Sequence, residues 1–221
     1  MPIEWSPLTL SLRVAACATL ISLVLGVALA YLLANKNFRG RELLDAAITL
    51  PQVLPPTVLG YYLLVMLGRS APVGRFYESV FGGPLVFTWQ AAVLASTVHA
   101  IPLLVKSSRA ALESVGGEFQ RAARTLGASE WRLFWRVTLP LARRSILAAT
   151  VLAFARSLGD FGTTLMIAGD IPKQTQTASV AIYDAVESGN GSLARVLVLV
   201  ISVFTLVIVY AANWLERRKP R

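Results

Sequence analysis

The sequence predicts an all-α membrane protein, a polytopic helical bundle of about five transmembrane helices that occupies residues 1–221 as one domain. Three observations carry this. Hydrophobic residues make up 55% of the chain and the mean hydropathy is +0.61, high for a soluble domain of this length. Five apolar stretches, residues 8–34, 50–68, 85–105, 146–168 and 193–214, each come close to the ~20 residues that a helix needs to cross a ~30 Å hydrocarbon core. Lys and Arg collect between alternate stretches. A water-soluble helical protein would alternate polar and apolar faces, yet residues 196–210 offer almost no polar face.

The first stretch is expected to stay in the membrane. It is long for the apolar part of a cleavable signal, and Met1 to Leu12 carries Glu4 and no basic cluster. The second contains Pro51, Pro55 and Pro56, which remove three backbone donors where lipid cannot replace them. Two readings stay open for Pro55 and Pro56: a kinked segment beside a translocation path, or a helix that begins there, where proline is tolerated in the first turn. The third stretch carries His99, the single histidine, near its inner end before Pro102; a packing role outweighs a proton relay. Trp5, Trp89 and Trp214 fall near membrane boundaries, where indoles sit.

The fourth stretch places Arg156 and Asp160 one helical turn apart and, entered at Ile146, about 15 Å deep. Charges there must face the bundle interior. Their spacing predicts a mutual ion pair. The pair either lines the route of a polar solute or braces the helices, and bracing is favoured because a paired arginine has less charge to offer a passing anion. Gly159 and Gly162 leave room for close helix approach or for a flexible gate. Beyond it, residues 169–192 read as an outer loop in which Thr175, Thr177, Ser179 and Tyr183 are candidates to touch another protein.

The net charge of +9 raises nucleic acid as a partner, and its distribution excludes that class. With the C-terminus in the cytoplasm and the spans alternating, the inner side receives Lys36, Arg39, Arg41, the eight basic residues from Lys106 to Arg144, and Arg217, Arg218, Lys219 and Arg221. The outer side receives Arg69, Arg75, Lys173 and Arg195, and Arg13 and Arg156 lie within spans. This asymmetry puts the N-terminus outside.

One inner segment, about residues 106–144, is too polar to cross a bilayer and too patterned to be a linker. Phe119, Ala122, Ala123 and Leu126 recur at i, i+3, i+4 and i+7 and form a narrow apolar stripe on a helix. Gly127 stops that helix in a left-handed turn, Ser129 caps a second one holding Leu133, Phe134 and Val137, and Leu139-Pro140 closes the unit. Arg121, Arg124 and Arg132 contact either a docked protein or lipid headgroups.

From Arg121 to Pro140 the chain resembles the signature loop of permease subunits of bacterial ABC importers, Glu-Ala-Ala-x-x-x-Gly-Ala ending in Leu-Pro. Ala122, Ala123, Gly127, Ala128, Leu139 and Pro140 match, whereas the glutamate position is Arg121. The segments Leu50-Pro-Gln-Val-Leu-Pro-Pro-Thr-Val-Leu-Gly60 and Leu152-Ala-Phe-Ala-Arg-Ser-Leu-Gly-Asp-Phe-Gly162, followed by Ile171-Pro172, look like molybdate permeases of that class. Sulfate and thiosulfate permeases are similar in the latter segment, and tungstate has nearly the size and charge of molybdate.

The resemblance implies a type I ABC importer permease fold in a bacterial or archaeal plasma membrane. It also implies a homodimeric pore, with each copy docked to an ATP-binding cassette subunit and fed by an extracytoplasmic oxyanion-binding protein. Phe119, Ala122, Ala123, Leu126, Gly127 and Ala128 would then couple to the ATPase, while Pro55, Pro56, Arg156 and Asp160 would line the path or brace the bundle.

No Gly-rich phosphate loop with lysine, no Ser-His-Asp order and no His/Cys ligand set is visible in the sequence, so no cofactor or metal is expected on this chain and ATP would sit on the partner. An ATP-independent anion channel or secondary transporter is the alternative from another class. An intramembrane enzyme is disfavoured, because the intramembrane ionisable pair is Arg-Asp and not a nucleophile with its base.

Overall fold

The computed structural model describes residues 4–115 and 117–217, with side chains through Trp214. Arg218, Lys219 and Arg221, counted above on the inner side, lie outside the described residues. The described residues are predominantly helical and contain no strand. Among the described residues four helical stretches are long and apolar enough to cross a membrane: α1 (Ser6–Asn35), α5 (Trp89–Glu113), the stretch Glu130–Leu158, and α11 (Gly191–Arg217) over its first 24 residues. The fifth expected span is broken. It divides into α2 (Arg41–Val53) and α3 (Pro56–Leu67), bent by 114°.

Packing begins with α1 against α5. Ala18, Ser22, Gly26 and Ala30 recur every four residues on α1 and are all buried, a ladder of small side chains that lets two helix backbones approach. The approach is close enough that a β-carbon on Gly26 would meet Leu104 Cβ at 2.9 Å. The Ser22 hydroxyl donates to Thr97 O at 3.3 Å across this contact.

Three levels of core follow along the bundle. Val14, Ala18, Ala91, Ala95 and Ile167 fill one end, with the lone Cys17 packed beside them. Leu23, Ala100, Leu104, Ala149 and Ala153 fill the middle, and Ala30, Leu112, Ala142 and Ile146 the other end. By contrast α11 exposes Leu199, Leu206, Val207 and Tyr210, as a helix facing lipid does.

Several expectations are corrected. Helix α5 runs eight residues past the expected end at Val105, to Glu113, and Arg109 near its tip bridges Asp45 of α2 at 3.2 Å and Glu113 at 2.9 Å. His99 therefore sits mid-helix, not near an inner end. The fourth stretch does not run from Ile146 to Ala168: α8 (Leu139–Leu158) ends before Gly159, and α9 (Gly162–Ala168) starts anew.

The segment 169–192 is no free loop. It folds α10 (Ala178–Glu187), whose Ala178, Val180, Ala181 and Ala185 are buried and whose first turn is tied to α1 by Ala178 N–H donating to Ser11 Oγ at 2.8 Å. Within it Thr175 and Thr177 are buried, Thr175 Oγ1 accepts from Ile171 N–H, and Ser179 donates to Leu158 O. Of the four proposed contact residues only Tyr183 is exposed. A further short helix, α4 (Pro72–Phe81), was not anticipated.

Candidate functional site

The sequence-derived residues gather in two places. The first is a polar junction where both breaks in the bundle meet. Helix α3 opens with Pro55 as its cap and Pro56 in its first turn, so the missing proline donors cost no helical hydrogen bond. Of the two readings left open for these prolines, the helix start is the one observed. At ~18 Å for 12 residues, α3 is too short to span alone.

Its N-terminal half crosses α9 at close range. A β-carbon on Gly60 would lie 2.6 Å from Met166 Cβ, and one on Gly162 would lie 3.0 Å from Pro56 Cβ. The Thr163 hydroxyl donates to Pro56 O at 3.0 Å, tying the start of α3 to α9.

Beside this contact lies Asp160, 4% exposed. Its Oδ1 is 3.2 Å from Nδ1 of His99, itself 5% exposed, and its Oδ2 accepts the Thr164 hydroxyl at 2.7 Å. Thr163 Oγ1 stands 3.5 Å from the same histidine nitrogen. One carboxylate thus holds α5 and both sides of the α9 start together.

The expected pair between Arg156 and Asp160 does not form. A continuous helix would stack them at i and i+4, but Gly159 and Phe161 leave helical geometry and turn Asp160 inward to His99. Arg156 is exposed and makes no ion pair or hydrogen bond among the described residues. Sequence reasoning assigned the wrong partner because His99 is distant in the chain, and no local signal connects the two.

The second place is the arm formed by α6 (Gly117–Thr125) and α7 (Glu130–Leu133). Helix α6 buries none of its residues. Phe119 is 60% and Leu126 87% exposed, Ala122 is exposed, and Ala123 and Ala128 are half-buried, so the stripe is largely uncovered among the described residues. Gly127 adopts φ +79°, the left-handed conformation expected of it, with open space where a side chain would project.

The turn is closed by Gly127 N–H donating to Arg124 O and Ala128 N–H to Ala123 O, both at 3.0 Å, which satisfies carbonyls at the end of α6. Ser129 Oγ accepts from Arg132 N–H at 3.4 Å and caps α7. Across the corner Arg124 grips both oxygens of Glu130, at 2.8 and 3.2 Å. Those hydrogen bonds, with the charge of Glu130, raise the Arg124 guanidinium above its ordinary range. Arg124 is therefore committed within the arm.

Leu139-Pro140 does not close the unit. The helix passes through a π-helical turn, Phe134–Thr138, in which Leu139 N–H reaches back to Phe134 O, and continues as α8 with Pro140 in its first turn. The wider turn shifts the hydrogen-bond register where Pro140 has no donor to give. Tyr31 and Phe134 meet edge to face at 4.6 Å, and Leu133 is buried, so the arm's base is fixed to the bundle while α6 projects.

Residues 22–220 match the family described as the inner-membrane component of binding-protein-dependent transport systems. The chain is 42% identical over 215 residues to the molybdenum transport system permease protein of Escherichia coli K12, covering 97% of this chain and 94% of that protein. It is 42% identical over 219 residues to the corresponding protein of Haemophilus influenzae, covering 99% and 96%. In structure it is similar to an inward-facing form of the MetNI methionine ABC transporter, with a TM-score of 0.76 at 18% identity over 100% of this chain and 99% of that one. At that identity the likeness concerns the fold, and it bears out the expected permease architecture.

Proposed function

Because the chain belongs to the family of inner-membrane components of binding-protein-dependent transport systems, we propose that it is the permease subunit of an ATP-driven importer of molybdate. It would form the path through the membrane and take its mechanical drive from a separate ATP-binding cassette subunit. The observation that carries the coupling is the uncovered α6 stripe on a braced glycine corner, rigid at its base and free at its face. A surface of that kind receives force from another protein, and rigid-body displacement of the arm would tilt α8, with which it is continuous.

The anion assignment is supported by 42% identity to two molybdenum permeases over nearly their full lengths. Tungstate, alike in size and charge, would compete. In this reading ATP binds only to the partner subunit, and an extracytoplasmic binding protein delivers the anion to the side bearing α10. The C-terminus and the arm, with the loop 106–144 around it, face the cytoplasm, and the N-terminus faces outward, following the positive-inside asymmetry.

A homodimer would also account for α3. That helix buries only Leu59 and Gly60 within the chain and leaves Tyr61, Tyr62, Val65 and Met66 exposed for a second copy or for lipid.

The test is uptake of labelled molybdate into vesicles containing the permease, its ATPase and its binding protein. Expected is ATP-dependent uptake suppressed by excess tungstate and only weakly by sulfate. Transport of sulfate without molybdate would overturn the anion. Oxyanion flux with the ATPase omitted would overturn the coupling and favour a channel or secondary transporter.

A further inference from the structure

We propose that Arg156 is the cation that a tetrahedral oxyanion meets midway across the membrane. The proposal rests on the permease reading above and adds to it the residue that touches the anion.

Its depth follows from packing. Ala153, one turn earlier on α8, lies in the middle layer of the core with Ala100, Leu104, Ala149 and Leu23, and Leu23 is near the midpoint of α1. Arg156 follows Ala149 by seven residues, which places the two about 20° apart around the helix. It therefore emerges near the edge of the packed face of α8 and not on the opposite side. It is exposed there, and among the described residues nothing neutralises it.

A bare guanidinium at that depth is expensive unless it faces water or an anion. The chain contains a second spanning arginine, and it is treated differently: Arg13 lies over the Trp89 ring at 3.9 Å, which spreads its charge onto an aromatic face. Arg156 has no such cover.

The buried junction explains why. Asp160 is the carboxylate that chain spacing offers to Arg156, and the helix break delivers it to His99 and Thr164 instead. This does two things for an incoming anion. It leaves the guanidinium fork unoccupied, with donors in one plane suited to two oxygens of a tetrahedral oxyanion. It also spends the Asp160 oxygens on His99 and Thr164, so that the carboxylate does not compete with that anion for the fork. Arg156 is the contact, and His99 is a positioning residue that acts through Asp160.

The experiment uses the complete complex of permease, ATPase and binding protein in vesicles. Wild type must first take up labelled molybdate; failure there contradicts the permease reading and leaves Arg156 out of the question. Given wild-type uptake, Arg156→Gln is expected to lower it at least about tenfold, the loss of one charge-assisted contact, and Arg156→Lys to retain part of it. Subunit assembly and ATP hydrolysis stay intact in both.

A second arm uses the single native cysteine. On a Cys17→Ala background, Arg156→Cys treated with a cationic thiol reagent regains uptake, and an anionic reagent gives none. Unchanged uptake in Arg156→Gln, loss of assembly in both the Gln and Lys variants, or equal effects of the two reagents would each overturn the proposal.

Discussion

Glycines serve opposite ends in the two regions of this molecule. At the membrane junction Gly60 and Gly162 let α3 and α9 touch, with Met166 and Pro56 filling the space a side chain would need. In the arm nothing lies within 4 Å of a β-carbon built on Gly127, and its value is the left-handed turn itself. The polar groups divide the same way. Asp160 and His99 pair out of solvent, whereas Arg124 and Glu130 pair in the open. The junction is closed by partners within the chain, and the arm leaves most of its apolar stripe open.

Substitutions at the junction should therefore cost stability, and substitutions in the arm should cost assembly. The largest expected effect is His99→Leu, which leaves the Asp160 carboxylate buried with only Thr164. Leaving a buried polar group short of a partner costs about 1–3 kcal/mol, and more for a carboxylate, and thermal unfolding in detergent should show it; an unchanged melting temperature would remove the pair from the account. Gly60→Val comes next, at about 1–3 kcal/mol for overpacking against Met166, read in the same assay.

Gly127→Val places a branched side chain in the left-handed region at about 1–2 kcal/mol. Since no packed core surrounds it, the bundle should melt as wild type while affinity for the ATPase falls. A lowered melting temperature would blur the contrast between the regions. Glu130→Gln should do least: hydrogen exchange quickens in α6, with no measurable change in global unfolding, as expected of an exposed pair.

The parts legible in the sequence are those set by near neighbours. The unbroken spans followed from length and hydropathy, and the Gly127 turn and Ser129 cap from the end of an apolar period. Pro140 misled because a proline after an amphipathic run reads as a stop, and the π-helical turn that lets the helix continue has no local signature. Asp160 misled for the opposite reason: the local i, i+4 partner was available, and a tertiary one across α5 won. Helix α10 was hidden because its buried alanines and valine read as loop when the surface they cover, on α1 and α11, is not yet placed. One signal was present and unused, the four-residue spacing of Ala18, Ser22, Gly26 and Ala30, which marks the most extensive helix contact in the bundle.

The central claim is that α6 is the surface through which another subunit drives the bundle. Binding of the ATPase subunit to purified permease, wild type against the Phe119→Ser, Leu126→Ser double variant, tests it most directly. The account predicts at least about tenfold weaker binding, the cost of losing two apolar contacts at an interface, with the permease melting temperature unchanged. Equal affinity for the two proteins would contradict it.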